Sequence, residues 1–285
     1  MLKQRIITAV ILALLLLAAL FWLPAPAWAV LVVVLVMQGV SEWARLAQMS
    51  ARDANLFWWG TLALTAGLLL AGESQISGWL HVAVYLMSAL LWLGIVPFWM
   101  ALRWQVRHPL PLALTGWAVL VPTGLAMMDL RAYSPWLLLG IMAVVWIADI
   151  AAYFSGRKFG KNKLAPNISP GKTWEGVIGA LIAVSVCVLL FWILSFVIFP
   201  GWAKSWGFQP SSGWVILAPN LVIAACCWVG LAVLGDLFES LIKRQAGVKD
   251  SGALLPGHGG LLDRVDALTS TLPLAALALI LQTIV

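Results

Sequence analysis

The sequence predicts an all-α polytopic membrane protein of about nine transmembrane helices, on three observations. Of 285 residues, 63% are apolar and only 10% are charged, whereas a soluble domain is about 45–50% apolar and about 25% charged. The apolar residues come in long runs without period-2 alternation, and in lipid such runs must be helices that close their own backbone hydrogen bonds. The cations fall almost wholly on alternate connections between those runs. A soluble enzyme, a disordered chain and a disulfide-built secreted module are all excluded, because the polar surface is too small to cover a soluble globule.

Runs of roughly 17–25 residues place spans near 6–23, 28–41, 56–71, 79–101, 110–128, 135–152, 174–199, 214–234 and 267–285. The first follows Lys3 and Arg5 and precedes Ala25-Pro26-Ala27-Trp28-Ala29, which imitates a cleavable signal. Its apolar run exceeds the usual signal core of about 7–15 residues, so an uncleaved signal-anchor is expected. The second span extends across Gln38 and Ser41 to about Leu46. Pro97, Pro122 and Pro219 lie within spans, where neighbouring helices absorb the freed carbonyls. Trp22, Trp28, Trp79, Trp104, Trp136, Trp174 and Trp214 stand at span ends as interfacial anchors. Cys187, Cys226 and Cys227 lie in apolar runs and read as small buried hydrophobes.

With a cytoplasmic N-terminus, nine alternating spans put fifteen of the seventeen Lys and Arg residues inside and leave only Arg131 and Lys204 outside. The net charge of +6 is therefore topological, and no nucleic-acid partner is expected. The spans within residues 1–134 read as mainly structural. His81 and Gln38 are expected to hydrogen-bond between helices, and Glu42, Arg45, Arg52 and Asp53 to form a solvated or headgroup-facing loop. Residues 135–285 read as the catalytic part, with cytoplasmic loops 153–173 and 235–266. Seven of the eleven acidic residues lie between 149 and 266.

The first of these loops interleaves Arg157, Lys158, Lys161, Lys163 and Lys172 with Gly156, Gly160, Ser169, Gly171 and Thr173, and ends where a helix begins. Backbone N–H groups, a helix N-terminus and cationic heads together suit phosphate; a loop merely touching anionic lipid would carry the charge without the glycines. Gly171-Lys172-Thr173 resembles the tail of a Walker A loop, but Pro166 stands at the required earlier glycine and no strand is expected before it, so it is not a P-loop. Asp149 ends the sixth span, where an ionisable group is a functional candidate.

The second loop carries Asp236, Glu239, Ser240, Lys243, Arg244, Lys249, Asp250, Gly257, His258, Gly259, Gly260, Asp263, Arg264 and Asp266. Asp236, Glu239 and Lys243 share one face at helical spacing. Hard carboxylate oxygens suit Mg²⁺ shared with substrate phosphates, and Cys/His spacing for zinc is absent. Acids mixed with bases suit a metal and a polyphosphate held together.

The run from Ser240 to Asp266, S-x-x-K-R-x4-K-D-x-G-x2-L-P-x-H-G-G-x-x-D-R-x-D, resembles the phosphatidate cytidylyltransferase (CDP-diacylglycerol synthase) family at every constrained position. Asp149-x-x-Ala-Tyr153 and Ser169-Pro-Gly-Lys-Thr-Trp-Glu175 are similar to the same family's segments. The resemblance implies an all-helical enzyme of a bacterial inner membrane, often dimeric, with its N-terminus and active site cytoplasmic. It implies CTP and phosphatidate as substrates, Mg²⁺ as cofactor and a monovalent cation beside it. On this reading Asp236 and Asp263 bind the metal, and Lys249 and Arg264 act with them at the reacting phosphates. Ser169, Lys172, Thr173, Ser240, Lys243 and Arg244 contact substrate phosphates, and His258 donates to an oxyanion. Gly259 and Gly260 allow close backbone approach.

Overall fold

A computed structural model describes residues 2–70, 75–194, 214–254 and 259–284. The expected segments are helical wherever they are described, and among the described residues seven helices are long and apolar enough to cross a membrane. Helix α1 (Leu2–Trp22) stops before Pro24, and α2 (Ala25–Leu46) restarts with Pro26 in its first turn, where a missing N–H costs nothing. Helix α3 (Ala51–Leu70) opens on Ser50, whose hydroxyl accepts from the Asp53 N–H at 3.2 Å. The next span is composite: α4 (Gln75–Leu90), a π-helical turn (Leu91–Ile95) and α5 (Val96–Leu102). Pro97 lacks an N–H and would crowd the carbonyl four residues back, and the wider turn just before it accommodates that defect.

Helices α6 (Pro109–Tyr133) and α7 (Pro135–Phe159) each begin with proline at the first helical position, with only Ser134 between them. Helix α6 runs through the core and packs against α2, α4, α7 and the C-terminal helix. His81 Nδ1 lies 2.8 Å from Asp129 Oδ2 of α6, and the Tyr85 hydroxyl donates to the same oxygen at 2.7 Å. His81 is thus the expected inter-helix bonder. Gln38 is not: its amide donates to Glu42, one turn on in its own helix, at 2.9 Å.

Helix α7 outruns its apolar segment by two turns, and the expected loop then folds into an antiparallel hairpin of β1 (Lys163–Ala165) and β2 (Ser169–Thr173). The strand β2 passes without a break into α8 (Trp174–Trp192). A strand therefore does precede that helix, although in a hairpin and not in the parallel sheet of a P-loop. Likewise α9 (Trp214–Gln245) continues past residue 234, and α10 (Leu262–Ile284) begins five residues early. Hydropathy marks only the lipid-embedded part of a helix; Asp, Glu, Ser, Lys and Arg continue the same helix into water. At 32 residues α9 is about 48 Å long, against about 30 Å of hydrocarbon. Glycine lets α9 and α10 cross closely: a Cβ on Gly235 would sit 2.6 Å from the Asp266 carbonyl oxygen.

Trp22, Trp79, Trp104, Trp136 and Trp174 are exposed at helix ends, as anchors should be. Trp28 is not one of them. It is buried, donates to the Met127 carbonyl at 3.3 Å and has the Arg131 guanidinium 4.9 Å from its ring centroid. The three cysteines are free, and Cys187 and Cys227 lie on the outer face instead of the expected interior. Trp214 and Pro219 have side chains outside the described set.

Candidate functional site

Side chains from α2, α7, the hairpin, α9 and α10 converge at one end of the bundle. One cluster is built on the extension of α9. Asp236 forms an ion pair through Oδ2 with Lys172 of β2, and among the described residues its other oxygen has only the Ser240 hydroxyl, at 3.4 Å. Asp149 of α7 and Asp266 of α10 lie within electrostatic range of both Asp236 and Lys172. Two turns further along α9, Lys243 pairs with Glu239 at 3.1 Å and with Asp263 Oδ1 of α10 at 2.6 Å. Asp236, Glu239 and Lys243 therefore do lie on one face of α9, turned toward β2 and α10.

Asp263 closes the second cluster. Its Oδ2 accepts from the Ser251 N–H at 2.9 Å, the Ser251 hydroxyl at 3.0 Å and the Gly260 N–H at 2.8 Å. The Ser251 hydroxyl also lies 2.8 Å from Glu42 Oε2, and its one proton serves one carboxylate at a time. Glu42, fully buried, accepts from the N–H groups of Leu261 and Leu262, each at 2.9 Å. These are among the orphan donors at the start of α10, where the helix dipole favours a negative charge. A carboxylate from α2 thus caps α10 across about 220 residues of sequence. The expectation that Glu42 lies in a solvated loop is overturned. Its signal was present, since an ionisable residue inside a span that reaches Leu46 is a functional candidate by default.

The other expected residues divide. Thr173 is buried, and its hydroxyl caps α8 by accepting from the Gly176 N–H at 3.2 Å. Ser169 pairs with Ala165 across the hairpin. Arg244 turns toward the hairpin, with Nε 3.4 Å from the Ile168 carbonyl. Lys249 and Arg264 are exposed beside the site. Gly259 has a φ of +80°, which side-chain-bearing residues rarely adopt. His258 and Gly257 lie outside the described residues.

Gly260 has no room for a side chain. A Cβ there would lie 2.7 Å from the Gly252 nitrogen and closer still to the Ser251 hydroxyl and Glu42 Oε2. Gly260→Ala is therefore expected to push Ser251 and Glu42 apart and to lower activity at least tenfold. Gly140→Ala in α7, where the added methyl meets nothing within 4 Å, is the matched control and should be near neutral. Initial rates of the two purified variants check this, and equal rates would contradict the close packing.

Six carboxylates (Glu42, Asp149, Asp236, Glu239, Asp263 and Asp266) surround two ammonium groups (Lys172 and Lys243) in these clusters. Among the described residues, no three acidic, His or Cys side chains come together tightly enough to hold a metal ion alone. Mg²⁺ does not need three, because it commonly takes one or two carboxylates and fills its shell with water and substrate phosphate. Hard oxygens in negative excess fit that ion. Asp236 keeps one oxygen whose contact among the described residues is the Ser240 hydroxyl at 3.4 Å, whereas Asp263 is already met by four donor contacts.

The model of the "Cytidylyltransferase family" matches residues 3–282 of the chain. The phosphatidate cytidylyltransferase of Haemophilus influenzae is 35% identical over 96% of each chain. That of Pseudomonas aeruginosa is 37% identical over 97% of this chain and 96% of its own. An uncharacterised Escherichia coli protein, YnbB, is 33% identical over 75% of this chain and 58% of its own length.

Proposed function

Because the chain belongs to the cytidylyltransferase family, we infer that it transfers the cytidylyl group of CTP to phosphatidate, forming CDP-diacylglycerol and pyrophosphate. The observation that carries this reading is the pairing of Lys172 with Asp236 and of Lys243 with Asp263 at one end of the bundle. Mixed charge of this kind is suited to handling polyphosphate beside a lipid surface.

The chemistry asks little of acid–base catalysis. An oxygen of the phosphatidate phosphate, already anionic at neutral pH, attacks the α-phosphorus of CTP. The bond from that phosphorus to the bridging oxygen breaks, and pyrophosphate leaves with the electron pair. The barrier is the mutual repulsion of two anions and the charge growing on the leaving group, so positioning and electrostatic stabilisation supply the catalysis. We assign phosphate contacts to Lys172, Lys243, Arg244, Lys249 and Arg264, with Ser169 and Ser240 as neutral donors. Thr173 shapes the segment by capping α8.

Mg²⁺ would be held by Asp236 and Asp263, with triphosphate oxygens completing its shell, and it would neutralise charge on the departing pyrophosphate. A monovalent cation beside it, and a homodimer, belong to the same proposal. So do a bacterial inner-membrane location and a cytoplasmic site and N-terminus, supported by the fifteen-to-two distribution of cations.

The full chain in detergent micelles with radiolabelled CTP, phosphatidate and Mg²⁺ is expected to release labelled CDP-lipid. Omitting Mg²⁺ should stop the reaction, and absence of labelled lipid with every component present would refute the assignment.

A further inference from the structure

Outside the two carboxylate clusters, a cavity of about 360 Å³ lies between the end of α2 and the start of α3. Its walls are largely apolar, from Val40, Ala44, Met49 and Trp58, and its polar side carries Arg45 and Gln48. Arg45 is exposed and takes no ion pair among the described residues. It stands three residues after Glu42, and a Cβ built on Gly252 would meet its Nη2 at 3.0 Å and Glu42 Oε1 at 3.1 Å. The guanidinium therefore borders the loop whose Ser251 contacts Asp263. On the other side, Leu56 and Trp59 of α3 are exposed, 63% and 64% respectively, so the helix that walls the cavity turns an apolar surface outward.

We propose that this cavity seats the lipid substrate, with Arg45 on its phosphomonoester and the glycerol and first acyl carbons against Trp58, Met49 and Val40. The inference rests on the cytidylyl-transfer reading and adds to it a subsite and the residue that recognises the lipid. Charge and shape select the occupant. An unpaired guanidinium calls for an anion and matches phosphate oxygens in its planar fork. The apolar walls would be left uncovered by a nucleotide triphosphate but suit a phosphate joined directly to hydrocarbon. The position fits as well, because the attacking oxygen must reach the same loop that organises Asp263. What reads in the sequence as a loop facing headgroups becomes a site for one headgroup.

The test varies phosphatidate mole fraction at saturating CTP, then CTP at saturating phosphatidate, in mixed micelles of the purified full chain. Arg45→Ala should raise KM for phosphatidate about tenfold to a hundredfold, the range for a lost charged hydrogen bond, while KM for CTP stays within about twofold. Arg45→Lys should recover part of the loss by keeping the charge without the fork. Ala54→Leu, which fills the cavity and spares Arg45, should move the same parameter. A readout without turnover compares Tm in phosphatidate-doped and phosphatidylcholine-only micelles: phosphatidate stabilises the wild type, and Arg45→Ala removes the difference. A shift on the CTP axis would assign Arg45 to the triphosphate, and an unchanged KM for both substrates or a Tm difference surviving in Arg45→Ala would remove the subsite. A wild type that binds phosphatidate through Arg45 yet forms no CDP-lipid would refute the reaction and leave the subsite standing.

Discussion

Asp236→Asn is expected to lower turnover about 10³-fold, the upper range for removing one preorganised electrostatic element from an active site, and to leave the protein folded. Asparagine keeps the shape and removes the charge. That charge holds Lys172 and, in the proposed mechanism, half of the protein's grip on Mg²⁺. Little stability depends on it, because the Asp236 side chain retains 27% of its accessible surface and, among the described residues, its second oxygen has only a 3.4 Å contact with Ser240. Asp263→Asn should behave differently. Its carboxylate is 7% exposed and meets Lys243, the Ser251 N–H and hydroxyl, and the Gly260 N–H. An amide there must turn its NH₂ toward one set of donors, so turnover and stability should fall together. Initial rates over a Mg²⁺ titration, with unfolding followed in the same detergent, separate the two outcomes. Activity within tenfold of wild type in Asp236→Asn would take Asp236 out of the metal site, and an unaltered Tm in Asp263→Asn would deny its bonding role.

The contrast between these two aspartates also marks how far the sequence could be read. Both stood out because they border apolar runs, Asp236 after the eighth and Asp263 before the ninth, and Asp263 also sits in a long fixed pattern; what each touches depends on partners that no local pattern names. Lys172 lies 64 residues before Asp236, and only the hairpin brings it there. That hairpin is hidden because Pro166, Asn167, Pro170 and Gly171 read as loop; Pro166 and Asn167 do form its turn, but Pro170 and Gly171 lie within β2. Thr173 illustrates a signal with two readings. A hydroxyl beside Lys172 suggests phosphate, yet Thr173 followed by Glu175 in a first helical turn is equally a helix start, and capping is the role its hydroxyl takes. The helical class was legible because lipid enforces it on every apolar run. The extensions of α7, α9 and α10 were not, because hydropathy reports the solvent a helix lies in and not where its hydrogen bonds stop.

Replacing Glu42, far from the motif in sequence, is expected to disable the site as fully as a change inside it. In Glu42→Ala the N–H groups of Leu261 and Leu262 lose their acceptor, and so does the Gln38 amide. The buried Leu262 N–H left without a partner costs about 1–3 kcal/mol, the half-buried Leu261 N–H less, and the lost charge at the start of α10 adds to that. The first turn of α10 should fray. That turn carries Asp263, and the neighbouring Gly260 donates to it, so the contacts that position Asp263 against Lys243 go with it. Activity should drop at least a hundredfold through the loss of this turn. Glu42→Gln retains one acceptor oxygen and turns an NH₂ group toward the other donors, so it should fall between wild type and alanine. Hydrogen exchange distinguishes this from a general loss of fold: amides 260–262 should lose protection in Glu42→Ala while those of α6 keep theirs. Full protection at Leu261 and Leu262 in the alanine variant would show that α10 is capped by something other than α2. The N-terminal spans would then be the scaffold their composition suggests, and not a working part of the site.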